Sequence, residues 1–305
     1  MSKPSTFPAS EIERLAEQFP GRAGFYVKDL TTGETCGHRA DERFATASVF
    51  KVSVLVTLYQ LAEAGHLSLN DRHRVPADVS THGTGVLKSF HDEPELSLRD
   101  HCRAMIGVSD NMATDTIIHV IGTDAINRML DNQGLKNTRV PMAIGRWHYL
   151  LVDMENEPIN RANDERQVAR ACQGEYREDG LCYSDSLENL VASPRDMGIL
   201  LERLHGGELA GPASTAQMID LLKSSSGEIT SALKPEVAKD VASKKGASGP
   251  IRADVGIVFM NCGPLVISAF TLANGNDKRA SSLIQQVTRL VVATRQPGAL
   301  CPSTS

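Results

Sequence analysis

The chain has 305 residues, 41% of them apolar, and a formal net charge of −5. That is enough apolar material for one large domain or two small ones. With no long basic run, nucleic acid and anionic membrane surfaces are poor partners, and a small or neutral ligand is the simpler expectation. No run approaches the roughly 18 apolar residues of a transmembrane helix.

Met1 to Pro8 lead straight into Glu11–Phe19, a helical pattern with no uninterrupted apolar stretch of signal-peptide type. Secretion is therefore not expected, and a cytoplasmic location is. The six cysteines (Cys36, Cys102, Cys172, Cys182, Cys262 and Cys301) lack CxxC spacing, which fits reduced thiols. Were the chain exported, Cys172 and Cys182 are the two that could pair.

Gly24–Leu30 reads as a strand, Thr31–Glu34 as a turn and Thr35–His38 as the returning strand of a hairpin. Val49–Ala64 is apolar nearly all round and ends at Gly65, which predicts a buried helix with a glycine stop. To about residue 205 the pattern stays mainly helical, clearest at Leu98–Gly107, Ala113–Val120, Asp124–Asp131 and Pro194–Leu204. Strands return at Asp240–Lys245, Ala253–Met260 and Leu265–Leu272, and Ala280–Ala293 predicts a closing helix. The expected fold is α+β: an antiparallel sheet drawn from both termini (1–45 with 205–305), flanked by helices, an all-α part inserted between (46–204), and the site at their interface.

Ser48 and Lys51 lie three apart at the start of the apolar helix, so their side chains share a face. A serine hydroxyl is a weak nucleophile without a base, and a lysine desolvated by an apolar helix has its pKa lowered enough to serve. The helix start adds free N–H groups and positive potential where an oxyanion would form. Taken alone, a serine N-cap followed by an incidental lysine explains the same residues. Ser109-Asp110-Asn111 stands between two helices, where a plain N-cap is again the bland explanation. Lys244-Lys245-Gly246, near the end of a predicted strand, could hold a substrate carboxylate, although strand-edge lysines are commonly just solvated.

The order S-x-x-K, S-D-N, K-x-G resembles class A β-lactamases and penicillin-binding proteins, the penicillin-recognising serine enzymes. Further segments resemble class A sequence, among them Asp29–Glu34, Ala40–Phe44, Glu63–Leu69, Gly83–Leu87, Leu96–Asp100 and Ser193–Met197. The similarity covers roughly residues 10 to 295 except a middle stretch. It implies a β-lactamase/transpeptidase-like fold and a serine hydrolase acting without cofactor or metal on a small-molecule lactam, amide or ester. Ser48 would be the acylated nucleophile, Lys51 the base or relay, and Ser109 the proton shuttle to the leaving nitrogen. Asn111 would hold the substrate side-chain amide, and Lys244 would sit near the substrate carboxylate. Ser48 and Ala247 N–H groups would form the oxyanion hole, with Arg252 supporting the carboxylate.

Two departures stand out. Lys245 replaces the hydroxyl residue of the K-T-G type motif, so either it points to solvent or the pocket prefers a more acidic substrate. The family's E-x-x-L-N loop, whose glutamate activates the deacylating water, has no counterpart. Glu157-Pro158-Ile159-Asn160 is one residue too short, and Glu155, Glu175 and Glu178 are further candidates, each as readily a surface carboxylate. A D-alanyl peptidase or transpeptidase, or a non-catalytic binding protein of the same fold, are the alternatives. The nine histidines show no H-E-x-x-H or comparable metal spacing.

Overall fold

The computed structural model describes residues 7–295 apart from 80, 81, 93, 178 and 274–276. α1 (Ala9–Glu17) turns Ile12 and Ala16 inward. β1 (Gly21–Asp29) and β2 (Thr35–His38) then form an antiparallel hairpin with Phe25 opposite His38. Its turn is closed by Asp29 Oδ1, which accepts from the N–H groups of Thr31 (2.7 Å) and Thr32 (2.9 Å), the local bonding that makes aspartate a turn residue.

β3 (Phe44–Ala45) runs into a 3-10 turn (Ala47–Phe50) and α2 (Lys51–Glu63). Every residue of α2 from Lys51 to Tyr59 is buried, as an all-round apolar helix requires. Gly65 follows at φ 76°, the left-handed stop that glycine supplies without a Cβ penalty. β4 (Arg72–Arg74) pairs with β5 (Glu95–Ser97), and Ser97 caps α3 (Leu98–Gly107) by accepting from Asp100 N at 3.2 Å. α4 (Asn111–Ile121) and α5 (Thr123–Asn132) follow, then α6 (Ile144–Leu150) and α7 (Arg161–Cys172). β6 (Val191–Ala192) pairs with β3 and leads to α8 (Pro194–His205) and α9 (Pro212–Lys223). Two single turns, α10 (Glu228–Ser231) and α11 (Pro235–Ala238), precede β7 (Val241–Ser248), β8 (Ile251–Val258), β9 (Leu265–Ala273) and α12 (Asp277–Ala293).

The main sheet has the order β2-β1-β9-β8-β7, antiparallel throughout, so the last three strands close onto the N-terminal hairpin. Alternation along β9 divides two cores: Ile267 and Ala269 pack with Ile12, Phe25 and Ile284 from α1, β1 and α12. Val266 and Phe270 pack instead with the core of the helical body. This is the α+β arrangement of an antiparallel sheet flanked by helices. No described helix is long and apolar enough to cross a membrane.

Two local expectations are corrected. Ser48 lies in the 3-10 turn ahead of α2, not in the first α-helical turn. β7 continues past Lys245 to Ser248, because Gly246, Ala247 and Ser248 still pair with Ala253, Arg252 and Ile251 before the turn at Gly249-Pro250. Cys172 and Cys182 are both free, one exposed and the other buried with its thiol donating to the Trp147 carbonyl at 3.3 Å.

α8 reaches the sheet at Gly198, where a Cβ would overlap the Tyr26 ring. Gly198→Ala should therefore destabilise the protein by about 1–3 kcal/mol through overpacking, read as a lowered thermal midpoint; an unchanged midpoint would show that α8 can shift freely.

Candidate active site

Backbone geometry places Ser48 before any side chain acts. Gly246 on β7 runs so close to the 3-10 turn that a Cβ there would overlap the Thr46 carbonyl and stand 3.0 Å from Ser48 N. Ala47 is bent to φ 42°, and across the site Ser109 adopts φ 58°. Each non-glycine residue in this region costs on the order of 1–3 kcal/mol. The surroundings over-determine both. Asp110 caps α4 by accepting from Ala113 N at 2.9 Å, and its other oxygen holds the N–H groups of Val86 (2.6 Å) and Leu87 (2.8 Å). The N-cap explanation of the Ser-Asp-Asn triplet is thus correct for Asp110, and capping is what presents its two neighbours.

Lys51 is fully buried, and its Nζ donates to Ser109 O (2.7 Å), Ser109 Oγ (3.1 Å) and Asn111 Oδ1 (2.8 Å). Lys244, also buried, donates from Nζ to the same Ser109 Oγ at 3.0 Å and to Lys245 O at 3.0 Å. The Ser109 hydroxyl is therefore shared by two lysines. Burial holds Lys51 well below the usual lysine range, the nearby Lys244 charge pushes the same way, and Asp115 and Asp110 oppose it. Burial brings Lys244 down to about 8 against the attraction of Asp254. Burial thus disfavours the charged form of both amines. Once it has given up a proton, Lys51 offers a lone pair to which the Ser109 O–H can donate while its oxygen accepts from Lys244.

Ser48, Ser109, Asn111, Lys245 and Ala247 line one cavity of about 240 Å³. Asn111 gives its oxygen to Lys51 and to Thr84 Oγ1 (3.3 Å), which leaves its amide nitrogen as the group offered to a ligand. Lys245 is exposed and lines the cavity wall, so both expected placements, toward solvent and at the pocket, meet in one residue. Gly246 is buried beneath, and Arg252 stands opposite Ala247 in the β7–β8 ladder, its Nη1 donating to Gly249 O (3.0 Å) and Ile251 O (2.6 Å).

The glutamates do not join this group. Glu157 lies 3.6 Å from Arg166 and within 3.5 Å of Asn163, Glu175 pairs with Arg170 at 2.7 Å, and Glu155 is exposed. None lines the cavity; Glu178 falls outside the described residues. The reason is α6. Buried Asp115 accepts from Ile144 N (2.8 Å) and Gly145 N (2.7 Å), docking that short helix with Ile144, Trp147 and His148 against the cavity. The Trp147 indole is fixed in turn by donating to Asn189 Oδ1 at 2.9 Å. Sequence reasoning missed Trp147 and His148, because a seven-residue helix held by a distant aspartate leaves no periodic signal.

A larger open depression of about 600 Å³ over Tyr26, Cys36 and Arg195 offers no comparable chemistry. Its thiol, Cys36, is pushed up to about 12 by burial and is a poor nucleophile.

Comparison with known proteins agrees with this geometry. Residues 8–294 match the model of the beta-lactamase enzyme family. Beta-lactamase L2 of Stenotrophomonas maltophilia is 27% identical over 287 residues, covering 91% of this chain and 82% of that protein. Among solved structures, a beta-lactamase from Sphaerobacter thermophilus superposes with a TM-score of 0.74 at 24% identity over 93% of this chain and 95% of that one. A PBP-A variant captured as an acyl-enzyme complex with penicillin G gives 0.74 at 24% identity over 93% and 94%. The fold is shared with both, and the match along nearly the whole length shows that the chain belongs to the beta-lactamase enzyme family.

Proposed function

We propose that the protein is a serine hydrolase that opens a lactam, amide or ester bond through an acyl group carried on Ser48. The observation that carries this reading is the Ser109 hydroxyl held between Lys51 and Lys244, in the wall of the cavity that Ser48 also lines. Lys51 accepts the Ser48 proton as Oγ bonds to the substrate carbonyl carbon. The proton then passes through Ser109 to the leaving nitrogen or oxygen as its bond to carbon breaks. Ser48 and Ala247 N–H groups receive the oxyanion. Asn111 donates to a substrate carbonyl, and Lys244, Lys245 and Arg252 provide positive charge for a substrate carboxylate. On this reading the site lies at the seam between the sheet part (1–45 with 205–305) and the helical part (46–204). A cytoplasmic setting is consistent with all five described cysteines being free.

Intact mass after exposure to β-lactams, D-alanyl peptides and activated esters tests the reading. A shift of one acyl group on the wild type, absent from Ser48→Ala, is expected; equal hydrolysis by both proteins would sink it. Lys51→Arg keeps the charge but cannot become neutral at working pH, so acylation should fall by about 10²–10⁴-fold; a rate near that of wild type would remove Lys51 from the proton path.

The position of Lys244 near 8 sets a pH dependence. Protonated below that value, it attracts a carboxylate; as pH rises through about 8 the attraction is lost. KM for a carboxylate-bearing substrate should rise over that window, while KM for an uncharged ester should not. Parallel behaviour of the two substrates would count against Lys244 as the anion site.

A further inference from the structure

The Ser48 acyl reading leaves the second half of the reaction without a base, since no carboxylate lines the described cavity. We infer that His148 is the general base of deacylation, taking a proton from the water that attacks the Ser48 acyl group. The inference rests on the acyl-enzyme reading and adds a residue to it.

Four observations converge on His148. Its ring forms part of the same cavity wall as Ser48, and no other titratable base does so apart from the cation Lys245. Its Nδ1 is sealed from solvent with no hydrogen-bond partner, so Nε2 is the nitrogen left to meet a water. Gly83 brings Asn111 and His148 together, because a Cβ built there would overlap the Asn111 amide nitrogen and lie 3.1 Å from His148 Cε1. The imidazole is thus beside the amide that receives Lys51. Finally, a second cavity of about 290 Å³, between α6 and α7, shares Gly83, His148 and Ser248 with the first. The ring therefore stands between the acyl cavity and a second water-sized space, where a nucleophilic water can reach the acyl carbon from the α6 side.

The groups facing the ring keep it unprotonated before the step. His82 meets it edge-on with centroids 5.1 Å apart, and Trp147 packs at 5.7 Å. Burial, followed by the influence of His82 and Lys51, lowers His148 to about 3. A neutral imidazole has the lone pair that the step needs.

The step balances as follows. The water oxygen bonds to the acyl carbon and its proton moves to His148. The bond from that carbon to Ser48 Oγ breaks, and the proton taken up by His148 passes to Oγ, directly or through a water, which restores the starting state.

Wild type, His148→Gln and His148→Ala are mixed with penicillin G, and formation and decay of the Ser48 adduct are followed by intact mass. Acylation within about threefold of wild type is expected in His148→Gln, with adduct decay slowed by about 10²–10⁴-fold and partly restored in His148→Ala by added imidazole. Decay unchanged in both variants overturns the inference and leaves the acyl-enzyme reading intact. Loss of acylation together with decay also overturns it, because the ring would then only support the site. If the wild type forms no adduct, both fall.

Discussion

The arrangement depends on one buried amine. Lys51 sits at the head of an apolar helix with no solvent contact, and the turn from Ser109 to Asn111 supplies all three of its acceptors. Moving a charge into such surroundings is expensive, and burial accordingly pulls the Lys51 pKa down. In the proposed reaction the same burial that stabilises α2 makes Lys51 a base. The second lysine strengthens the effect, since two ammonium groups on one hydroxyl repel each other.

Strain follows from this demand. To face a lysine from α2 and another from β7, Ser109 takes a left-handed backbone conformation, and Ala47 does so beside Ser48. Neither would persist without a frame that fixes it. Asp110 provides the frame on one side, tying the 86–87 backbone to α4, and Gly246 provides it on the other by allowing β7 to touch the nucleophile's turn. The energetic cost is local, while the compensation comes from the packed sheet and helices around it.

The two halves of the proposed reaction are built differently. The proposed acylating groups come from the 3-10 turn, α2, the 109–111 turn and β7; the 3-10 turn and α2 pack into the core of the helical body, and β7 reaches both cores through Ala242 and Val241. The α6 segment is a short helix docked by Asp115, whose own carboxyl is raised to about 6 by burial even though two N–H groups oppose the rise. Histidine and tryptophan occupy the cavity wall there, and the neighbouring glutamates turn to arginines on the outside. In the proposed reaction, bond opening and release therefore draw on different walls of the cavity.

The sequence by itself determined the elements with strong local character. The all-apolar Val49–Ala64 segment became α2, the Leu98–Gly107 and Pro194–Leu204 patterns became α3 and α8, and the three late strands emerged with ends displaced by a few residues. Ser48, Lys51, Ser109, Asn111 and Lys244 were singled out because the order S-x-x-K, S-D-N, K-x-G resembles that of the penicillin-recognising serine enzymes. Only the tertiary structure decided that Ser109 Oγ lies between two lysines, that Lys245 stands in the cavity wall, and that the glutamates do not. It alone brought His148 to Ser48's cavity, because α6 is positioned by Asp115 some 29 residues earlier. Periodicity and caps act within a turn or two, whereas buried hydrogen bonds between distant segments leave no pattern in the linear chain.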